Sequence, residues 1–264
     1  MPTPLPLLSC RNVSKYFGAM AAVKDFSFDL APGEVLGIGG PNGAGKTTLF
    51  ELVSGLNPAD KGEITLEGRR IDQLPPHAIC HLGIARMFQS NAGFDSLTAQ
   101  QNVLVAAAYG VAEHGIPPLT YTAEIRSRAE EALDFVGYRQ PLSMPVRTLP
   151  VLDRKLLMIA SAIATRPKIL MMDEPVGGLN PEEIDLLMAL VRRLIQRGIT
   201  IMLIEHVMRF LVQLSTRVMI MHHGEKIYEG SPAGLARDET VKRVYLGEKM
   251  SERIAGYSAG PVQR

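Results

Sequence analysis

The segment Gly40–Thr47 constrains this chain more than any other feature of its sequence. It reads GPNGAGKT and satisfies the pattern G-x-x-x-x-G-K-[ST], which forms a phosphate-binding loop when it joins a strand to a helix. Here it follows the apolar run Val35–Ile38 and precedes the helical pattern Thr47–Ser54. Glycines let such a loop wrap tightly, so that backbone N–H groups and the helix N-terminus point at phosphate oxygens. The chain is therefore predicted to bind a nucleoside triphosphate.

The residues of this loop have separate predicted roles. Lys46 is expected to reach the β and γ phosphates, and the Thr47 hydroxyl is expected to bind Mg²⁺. A nucleoside triphosphate and Mg²⁺ are the ligands that this pattern predicts. The nucleotide-binding residues predicted from the loop are Asn42, Gly43, Ala44, Gly45, Lys46, Thr47 and Thr48.

Three continuous apolar runs predict strands that are buried on both faces, as in a parallel sheet. They are Val35–Ile38, Ile169–Met172 and Ile199–Ile204. Each run precedes a helical pattern, and the best defined is Pro181–Arg197, with Asn180 as its N-cap. This alternation predicts an α/β fold: a P-loop NTPase core with a mostly parallel sheet.

The remaining sequence predicts two additions to this core. Residues 7–30 are typical of antiparallel strands with one solvated face. Residues from about 92 to 163 predict a mostly helical insertion, including a helix over Leu149–Thr165. We therefore predict a single ATP-binding domain over residues 7–249, with an antiparallel β subdomain and an inserted helical subdomain. Residues 250–264 are small and polar and predict a flexible tail.

Two carboxylates end the second apolar run. Asp173 is placed where the corresponding residue of P-loop NTPases holds Mg²⁺. Glu174 follows at the carboxyl edge of the sheet, where it is a candidate general base for the attacking water. Alone, the sequence Asp-Glu-Pro would be an ordinary polar turn after a strand, so the assignment depends on the residues around it.

Two further polar residues complete the predicted site. Gln89 follows the sequence Met87-Phe88 and is expected to reach Mg²⁺ or water, and His206 follows the third apolar run and is expected to contact the γ-phosphate. A lone Gln or His is more often structural. Here the P-loop, Gln89, the Asp173-Glu174 pair and His206 converge on one edge of the predicted sheet, where α/β proteins place ligands.

Composition limits the other possibilities. The 28 Lys and Arg residues against 27 Asp and Glu residues give a net charge of +1, so any bound anion must be held locally. With few basic clusters beside aromatic residues, no nucleic-acid partner is expected. The longest apolar stretch, Leu156–Ala164, is too short to cross a bilayer, and two distant cysteines suggest a reducing compartment without a metal site.

Taken together, these motifs resemble those of the nucleotide-binding subunits of ABC transporters, from Leu8 to about Lys249. The resemblance implies the ABC ATPase fold and a peripheral location on the cytoplasmic face of the bacterial inner membrane. It also implies that Phe17 stacks on the adenine, that Lys46 and Thr47 form the Walker A pair, and that Asp173 and Glu174 form the Walker B pair. Gln89 and His206 would be the Q-loop and H-loop residues.

Three segments resemble the branched-chain amino-acid importer type in particular: Gly177–Pro181, Ile204–Met208 and Val244–Glu248. The resemblance therefore implies an ATP-hydrolysing subunit that energises import of branched-chain amino acids or a related small solute. Its implied partners are integral-membrane permease subunits and, indirectly, an extracytoplasmic solute-binding protein.

One segment departs from the family pattern. Where the family has the signature Leu-Ser-Gly-Gly-Gln, this chain has Leu149-Pro150-Val151-Leu152-Asp153. In the family this segment acts on the nucleotide held by a second subunit, and Pro150 has neither a hydroxyl nor an N–H group to offer it. We therefore expect a different partner ATPase with an intact signature, with a homodimer as the other possibility. Two alternatives remain open: an ATP-gated dimerisation module with little hydrolysis, and a non-transport ABC ATPase.

Overall fold

A computed structural model of the protein describes residues 5–87, 94–111, 120–246, 254 and 257. The chain forms two compact units: the first comprises residues 1–74 and 191–264, and the second residues 75–190. Among the described residues, no helix is long and apolar enough to span a membrane.

The secondary structure alternates strands and helices along most of the chain. The strands are β1 (Leu8–Phe17), β2 (Met20–Leu30), β3 (Val35–Gly39), β4 (Lys61–Leu66), β5 (Arg69–Arg70), β6 (Ile84–Met87), β7 (Ile169–Asp173), β8 (Thr200–Ile204), β9 (Arg217–His222) and β10 (Glu225–Gly230). The helices are α1 (Lys46–Val53), α2 (Pro76–His81), α3 (Ala99–Tyr109), α4 (Ala123–Val136), α5 (Val151–Ala164), α6 (Pro181–Gln196), α7 (Met208–Leu214), α8 (Pro232–Leu235) and α9 (Glu239–Val241). A 3₁₀ turn covers Val146–Thr148, and a π-helical turn covers Lys242–Leu246.

The first unit contains an antiparallel sheet with the strand order β2-β1-β4-β5. Strand β2 alternates between buried and more exposed residues over its second half, because one face packs on the core and the other faces water. The antiparallel pair predicted over residues 7–30 is confirmed by β1 and β2. The short strands β4 and β5, which extend this sheet, were not predicted.

The first unit also contains the strands β10-β9-β3-β8 in that order. Strand β3 pairs in parallel with both β8 and β9, while β10 runs antiparallel to β9 at the edge. All five residues of β3 and all five of β8 are buried, as expected for central parallel strands. The predicted strands Val35–Ile38 and Ile199–Ile204 are therefore confirmed to within a residue.

The second unit combines a parallel strand pair with a helical bundle. Strands β6 and β7 pair in parallel, and α3, α4 and α5 pack against one another. Thr98 and Thr122 cap α3 and α4 with their side-chain oxygens, and Gly137 ends α4 in the left-handed conformation. The described part of residues 92–163 is mostly helical and contains no named strand, as the sequence predicts.

The α/β fold class is thus confirmed, whereas the domain boundaries at 7 and 249 stay a prediction. Of the predicted tail, only Ile254 and Tyr257 lie among the described residues, and Ile254 is fully buried. The remaining tail residues lie outside the described ranges.

Candidate nucleotide site

The phosphate-binding loop Gly40–Thr47, called the P-loop below, leaves β3 and enters α1 in the first unit. Gly40, Gly43 and Gly45 all have positive φ values, of 143°, 77° and 99°. A Cβ atom on Gly45 would lie 2.0 Å from the carbonyl oxygen of Ala22, and one on Gly40 would lie 2.2 Å from that of Met221. Only glycine fits these two positions, because the loop is wrapped directly against neighbouring backbone.

The start of α1 is suited to an anion. Gly45 is the N-cap and supplies no side-chain hydrogen bond to the first N–H groups of the helix. No side chain therefore caps this end of the helix, and the helix dipole adds a partial positive charge there. Lys46 is only 8% exposed, and its Nζ donates to the carbonyl oxygens of Gly40 at 2.7 Å and Pro41 at 2.9 Å. Its ammonium group thus lies over the loop.

Phe17 lies at the tip of the β1–β2 hairpin, where it pairs with Met20 across a turn containing Gly18. Phe17 is 47% exposed, so part of it is accessible to a ligand. The hairpin also reaches the P-loop, because Ala22, two residues beyond Met20 in β2, is the residue that touches Gly45. Two residues of a strand span about 7 Å, which is within the length of a nucleotide.

His206 leaves the sheet beside the P-loop. Ile204 of β8 pairs with Ile38 of β3, so His206 and Gly40 each lie two residues beyond this pair of facing residues. The imidazole is 58% exposed. The structure therefore brings Phe17, the P-loop and His206 together within the first unit.

A buried carboxylate supports His206. Glu205 is fully buried, and its Oε2 accepts hydrogen bonds from the backbone N–H groups of His206 and Val207, both at 2.8 Å. Because a buried carboxylate needs such donors, it fixes the turn that presents the imidazole. This role was not predicted from the sequence, although a Glu directly after an apolar strand was a visible signal.

The two predicted carboxylates belong to the second unit. Asp173 ends β7 and is 2% exposed, and its Oδ2 accepts a hydrogen bond from Nη2 of Arg86 at 3.1 Å. Arg86 lies in β6, opposite Met171, so it lies on the same side of the strand pair as Asp173. No role for Arg86 was predicted, because the pairing of β6 with β7 joins residues that are distant in sequence.

Glu174 follows Asp173 with a backbone φ of +47°, a conformation that non-glycine residues rarely adopt. Its carbonyl oxygen accepts hydrogen bonds from Gly177 N at 3.2 Å and from Nζ of the buried Lys155 at 3.4 Å. Strain of this kind costs on the order of 1–3 kcal/mol and collects at functional sites. Lys155 was not predicted as a site residue, and nothing in its sequence context indicated this contact.

The remaining predicted residues are placed as follows. Asn42, Gly43 and Thr47 are exposed, whereas Ala44 is buried and Thr48 is half-buried. Gln89 lies outside the described residues. The hydroxyl of Thr47 and the carboxylate of Asp173 are hard oxygen donors of the kind that Mg²⁺ prefers. Each is thus chemically suited to Mg²⁺, and the start of α1 is suited to the phosphates of a nucleoside triphosphate.

Comparison with known proteins decides the family. The model of the ABC transporter family matches residues 23–177, a range that includes both Lys46 and Asp173. The chain is 33% identical over 251 residues to the high-affinity branched-chain amino acid transport ATP-binding protein BraF of Pseudomonas aeruginosa, covering 92% of this chain and 98% of that protein. This chain belongs to the ABC transporter family. As an ABC ATPase it binds ATP with Mg²⁺, dimerises and works with membrane permeases.

A second relative and a solved structure support the same family assignment. The protein LivG of Escherichia coli, described by the same words as BraF, is 34% identical over 253 residues, with 92% of this chain and 98% of LivG covered. The crystal structure of a nucleotide-free ATP-binding cassette from an ABC transporter superimposes with a TM-score of 0.83 at 28% identity. It covers 92% of this chain and 100% of its own.

The segment Leu149–Asp153, called the signature segment below, begins helix α5 of the cassette. Pro150 is the N-cap, with φ −55° and ψ 158°, and makes no side-chain cap hydrogen bond. Val151 is 51% exposed, so an isopropyl group projects where the family has glycine. Asp153 lies in the first turn, and its Oδ2 accepts a hydrogen bond from Gln140 at 2.9 Å. The helix forms despite the altered sequence.

Helix α6, which is the next helix after α5, begins as predicted. Asn180 Oδ1 accepts a hydrogen bond from Glu183 N at 3.0 Å, and Glu183 Oε2 accepts one from Asn180 N at 2.9 Å. This reciprocal capping confirms Asn180 as the N-cap. The Asn180 side chain therefore has a structural role at the start of α6.

Proposed function

We propose that this chain is the ATP-hydrolysing subunit of an importer for branched-chain amino acids or a related small solute. The observation that carries this proposal is the full-length similarity to BraF and LivG, both described as branched-chain amino acid transport ATP-binding proteins. The chain would work on the cytoplasmic face of the bacterial inner membrane. Its partners would be permease subunits and, indirectly, an extracytoplasmic solute-binding protein.

At the proposed site, Phe17 stacks on the adenine and the P-loop amides hold the phosphates. The ammonium group of Lys46 donates to two neutral carbonyl oxygens in the ligand-free protein. With nucleotide bound, it would donate to the γ-phosphate instead, because a charged acceptor gives a stronger hydrogen bond. Thr47, Asp173 and Gln89 would hold the Mg²⁺, which would supply positive charge to the phosphate oxygens. Glu174 orients the attacking water and His206 contacts the γ-phosphate, so that attack is in line.

We also propose that the functional dimer is asymmetric. In this family the signature segment completes the site of the opposite subunit, and here Pro150 offers that site neither an N–H nor a hydroxyl donor. Val151 adds bulk, and Asp153 adds a negative charge that repels a γ-phosphate. Removing one donor of an oxyanion hole costs about 3 kcal/mol in the transition state. The site that this chain completes in its partner is therefore slow, whereas its own site needs a partner with an intact signature.

The transport role is tested in the host by deleting the coding sequence and measuring uptake of labelled leucine, with labelled urea in parallel. Wild-type protein should restore uptake of one solute and the Glu174→Gln variant should not. Restoration by Glu174→Gln would mean that hydrolysis at this site does not drive transport.

The signature segment favours a second candidate, an ATP-gated dimerisation module that hydrolyses feebly. The purified complex of this chain with its partner subunits separates the two candidates. Turnover that falls at least about a hundredfold with Glu174→Gln supports hydrolysis at this site. Turnover that is unaffected, with ATP-dependent dimerisation retained, supports the module.

A further inference from the structure

Lys15 lies beside Phe17 near the end of β1, and its side chain is only 12% exposed. Lysines are rarely so buried unless their charge has partners. Here Nζ donates to the carbonyl oxygen of Pro58 at 2.9 Å and to Oδ1 of Asp60 at 3.1 Å. The same ammonium group lies over the ring of Phe17, 5.8 Å from its centroid, which is within the range of a cation–π contact. Lys15 therefore joins the segment before β4 to the aromatic ring at the hairpin tip.

Asp60 holds both this lysine and the backbone that leads to the ring. Its Oδ2 accepts a hydrogen bond from the N–H of Tyr16 at 2.7 Å, and its own N–H donates to the carbonyl oxygen of Ser14 at 2.9 Å. The Tyr16 N–H, and after it the Lys15 side chain, lower the pKa of Asp60, so this carboxylate is charged at neutral pH. Three consecutive residues before Phe17 are thus bonded to one aspartate.

Strand pairing is interrupted just before the hairpin tip. The register between β1 and β2 shifts between Lys15 and Tyr16, and two residue pairs lie between this shift and the turn. Such a shift disrupts the ladder of backbone hydrogen bonds and bends the strand. The contacts of Lys15 and Asp60 therefore support the tip at the point where the ladder is irregular.

We propose that Lys15 is a positioning residue for adenine: it covers one face of the Phe17 ring and holds the ring so that the base stacks on the other face. This proposal rests on the assignment of Phe17 under Proposed function. A ring that is already held loses less conformational freedom when a ligand stacks on it. The effect of Lys15 is confined to the base, because the P-loop holds the phosphates.

The experiment compares binding of the non-hydrolysable analogue AMP-PNP and of inorganic tripolyphosphate to the full chain, both in excess MgCl₂. The measured quantity is the dissociation constant of tripolyphosphate divided by that of AMP-PNP, which reports the contribution of the adenosine part. We expect Lys15→Met to lower this ratio at least about threefold, while the dissociation constant of tripolyphosphate changes less than twofold. Lys15→Arg keeps a cation that can lie over a ring, so its ratio should stay near the wild-type value.

Lys61→Met is the matched control, because the ammonium group of Lys61 lies 5.7 Å from the ring centroid of the neighbouring Tyr16. It should leave the ratio unchanged. An unchanged ratio in Lys15→Met, or an equal decrease in Lys61→Met, overturns the proposal. So does an equal weakening of AMP-PNP and tripolyphosphate by Lys15→Met, which would show a general effect of charge.

The Phe17→Ala background separates positioning of the ring from a purely structural role. The proposal requires Lys15→Met to lower the ratio less in this background than in the wild type, and equal decreases overturn it. If Lys15→Met does not fold, Asp60→Asn takes its place, because an amide has a single acceptor oxygen and one of the two bonds is lost. Asp60→Asn should lower the ratio about twofold with Phe17 present and leave it unchanged in Phe17→Ala.

A failure of the site assignment gives a different result. If Phe17→Ala leaves the ratio unchanged, Phe17 does not stack on the adenine and the proposed site is wrong at this residue. If Phe17→Ala lowers the ratio and Lys15→Met does not, only the role of Lys15 is wrong.

Discussion

The P-loop and the signature segment are both turns that lead into a helix. They differ in the residue that caps the helix and in the charge of its first turn. The P-loop enters α1 through Gly45, which has a positive φ and no side chain to cap the first turn. The signature segment enters α5 through Pro150, which has no N–H, with Asp153 in the first turn. A helix N-terminus is therefore not enough for phosphate binding: the residues that cap it decide whether an anion is accepted.

The largest expected effect on ATP affinity concerns the buried lysines that follow these two turns. Lys46 and Lys155 are both 8% exposed, but Lys46 bonds to the P-loop and Lys155 to the carbonyl of Glu174. We expect Lys46→Met to weaken ATP binding at least thirtyfold, because a charge-assisted contact to phosphate is lost. Lys155→Met should change ATP affinity less than threefold and lower kcat instead. Calorimetry and steady-state kinetics check this, and equal losses of affinity would contradict it.

The P-loop glycines are expected to affect stability, and two of them should differ in how much. Gly45→Ala places a Cβ 2.0 Å from a backbone oxygen, whereas a Cβ on Gly43 meets nothing within 4 Å. Both positions have positive φ, which alone costs about 1–2 kcal/mol for a non-glycine residue. We expect Gly45→Ala to lower the free energy of unfolding by at least about 3 kcal/mol and Gly43→Ala by about 1 kcal/mol. Denaturant unfolding measures both, and equal losses would show that the close contact does not matter.

The smallest expected effect concerns the charge of the signature segment. Asp153→Asn removes a negative charge from the first turn of α5 and keeps a polar side chain. If that charge repels a γ-phosphate, the ATPase rate of the isolated chain should rise about two- to fivefold. The control is Asp134→Asn, an exposed carboxylate on α4. No rise, or the same rise in both variants, would leave Pro150 and Val151 as the decisive departures.

Many of these elements could be predicted from the sequence, because the patterns that indicate them are local. The P-loop pattern, the apolar runs of β3, β7 and β8, and the Asn180 cap each lie within a few consecutive residues. Local patterns of this kind reflect burial and capping directly, and the structure has these elements within one or two residues of the predicted bounds.

The polar contacts that hold the site residues in place could not be predicted from the sequence in the same way. Arg86 reaches Asp173, and Lys155 reaches the Glu174 carbonyl, only because strands and helices from distant parts of the chain are brought together. Glu205 was visible in sequence, but its hydrogen bonds to the N–H groups of His206 and Val207 depend on the path of the chain after β8. Sequence patterns indicate which residues carry the chemistry, whereas tertiary packing decides which residues hold them in place.

The most direct test of the proposed asymmetry is the ATPase rate of the isolated chain with the family signature restored. The variant carries Pro150→Ser, Val151→Gly, Leu152→Gly and Asp153→Gln, and circular dichroism verifies that the overall helix content is retained. The account predicts a slow wild-type chain and a rate at least about tenfold higher in the variant, abolished by adding Glu174→Gln. A wild-type chain that already hydrolyses ATP as fast as the restored variant would contradict it.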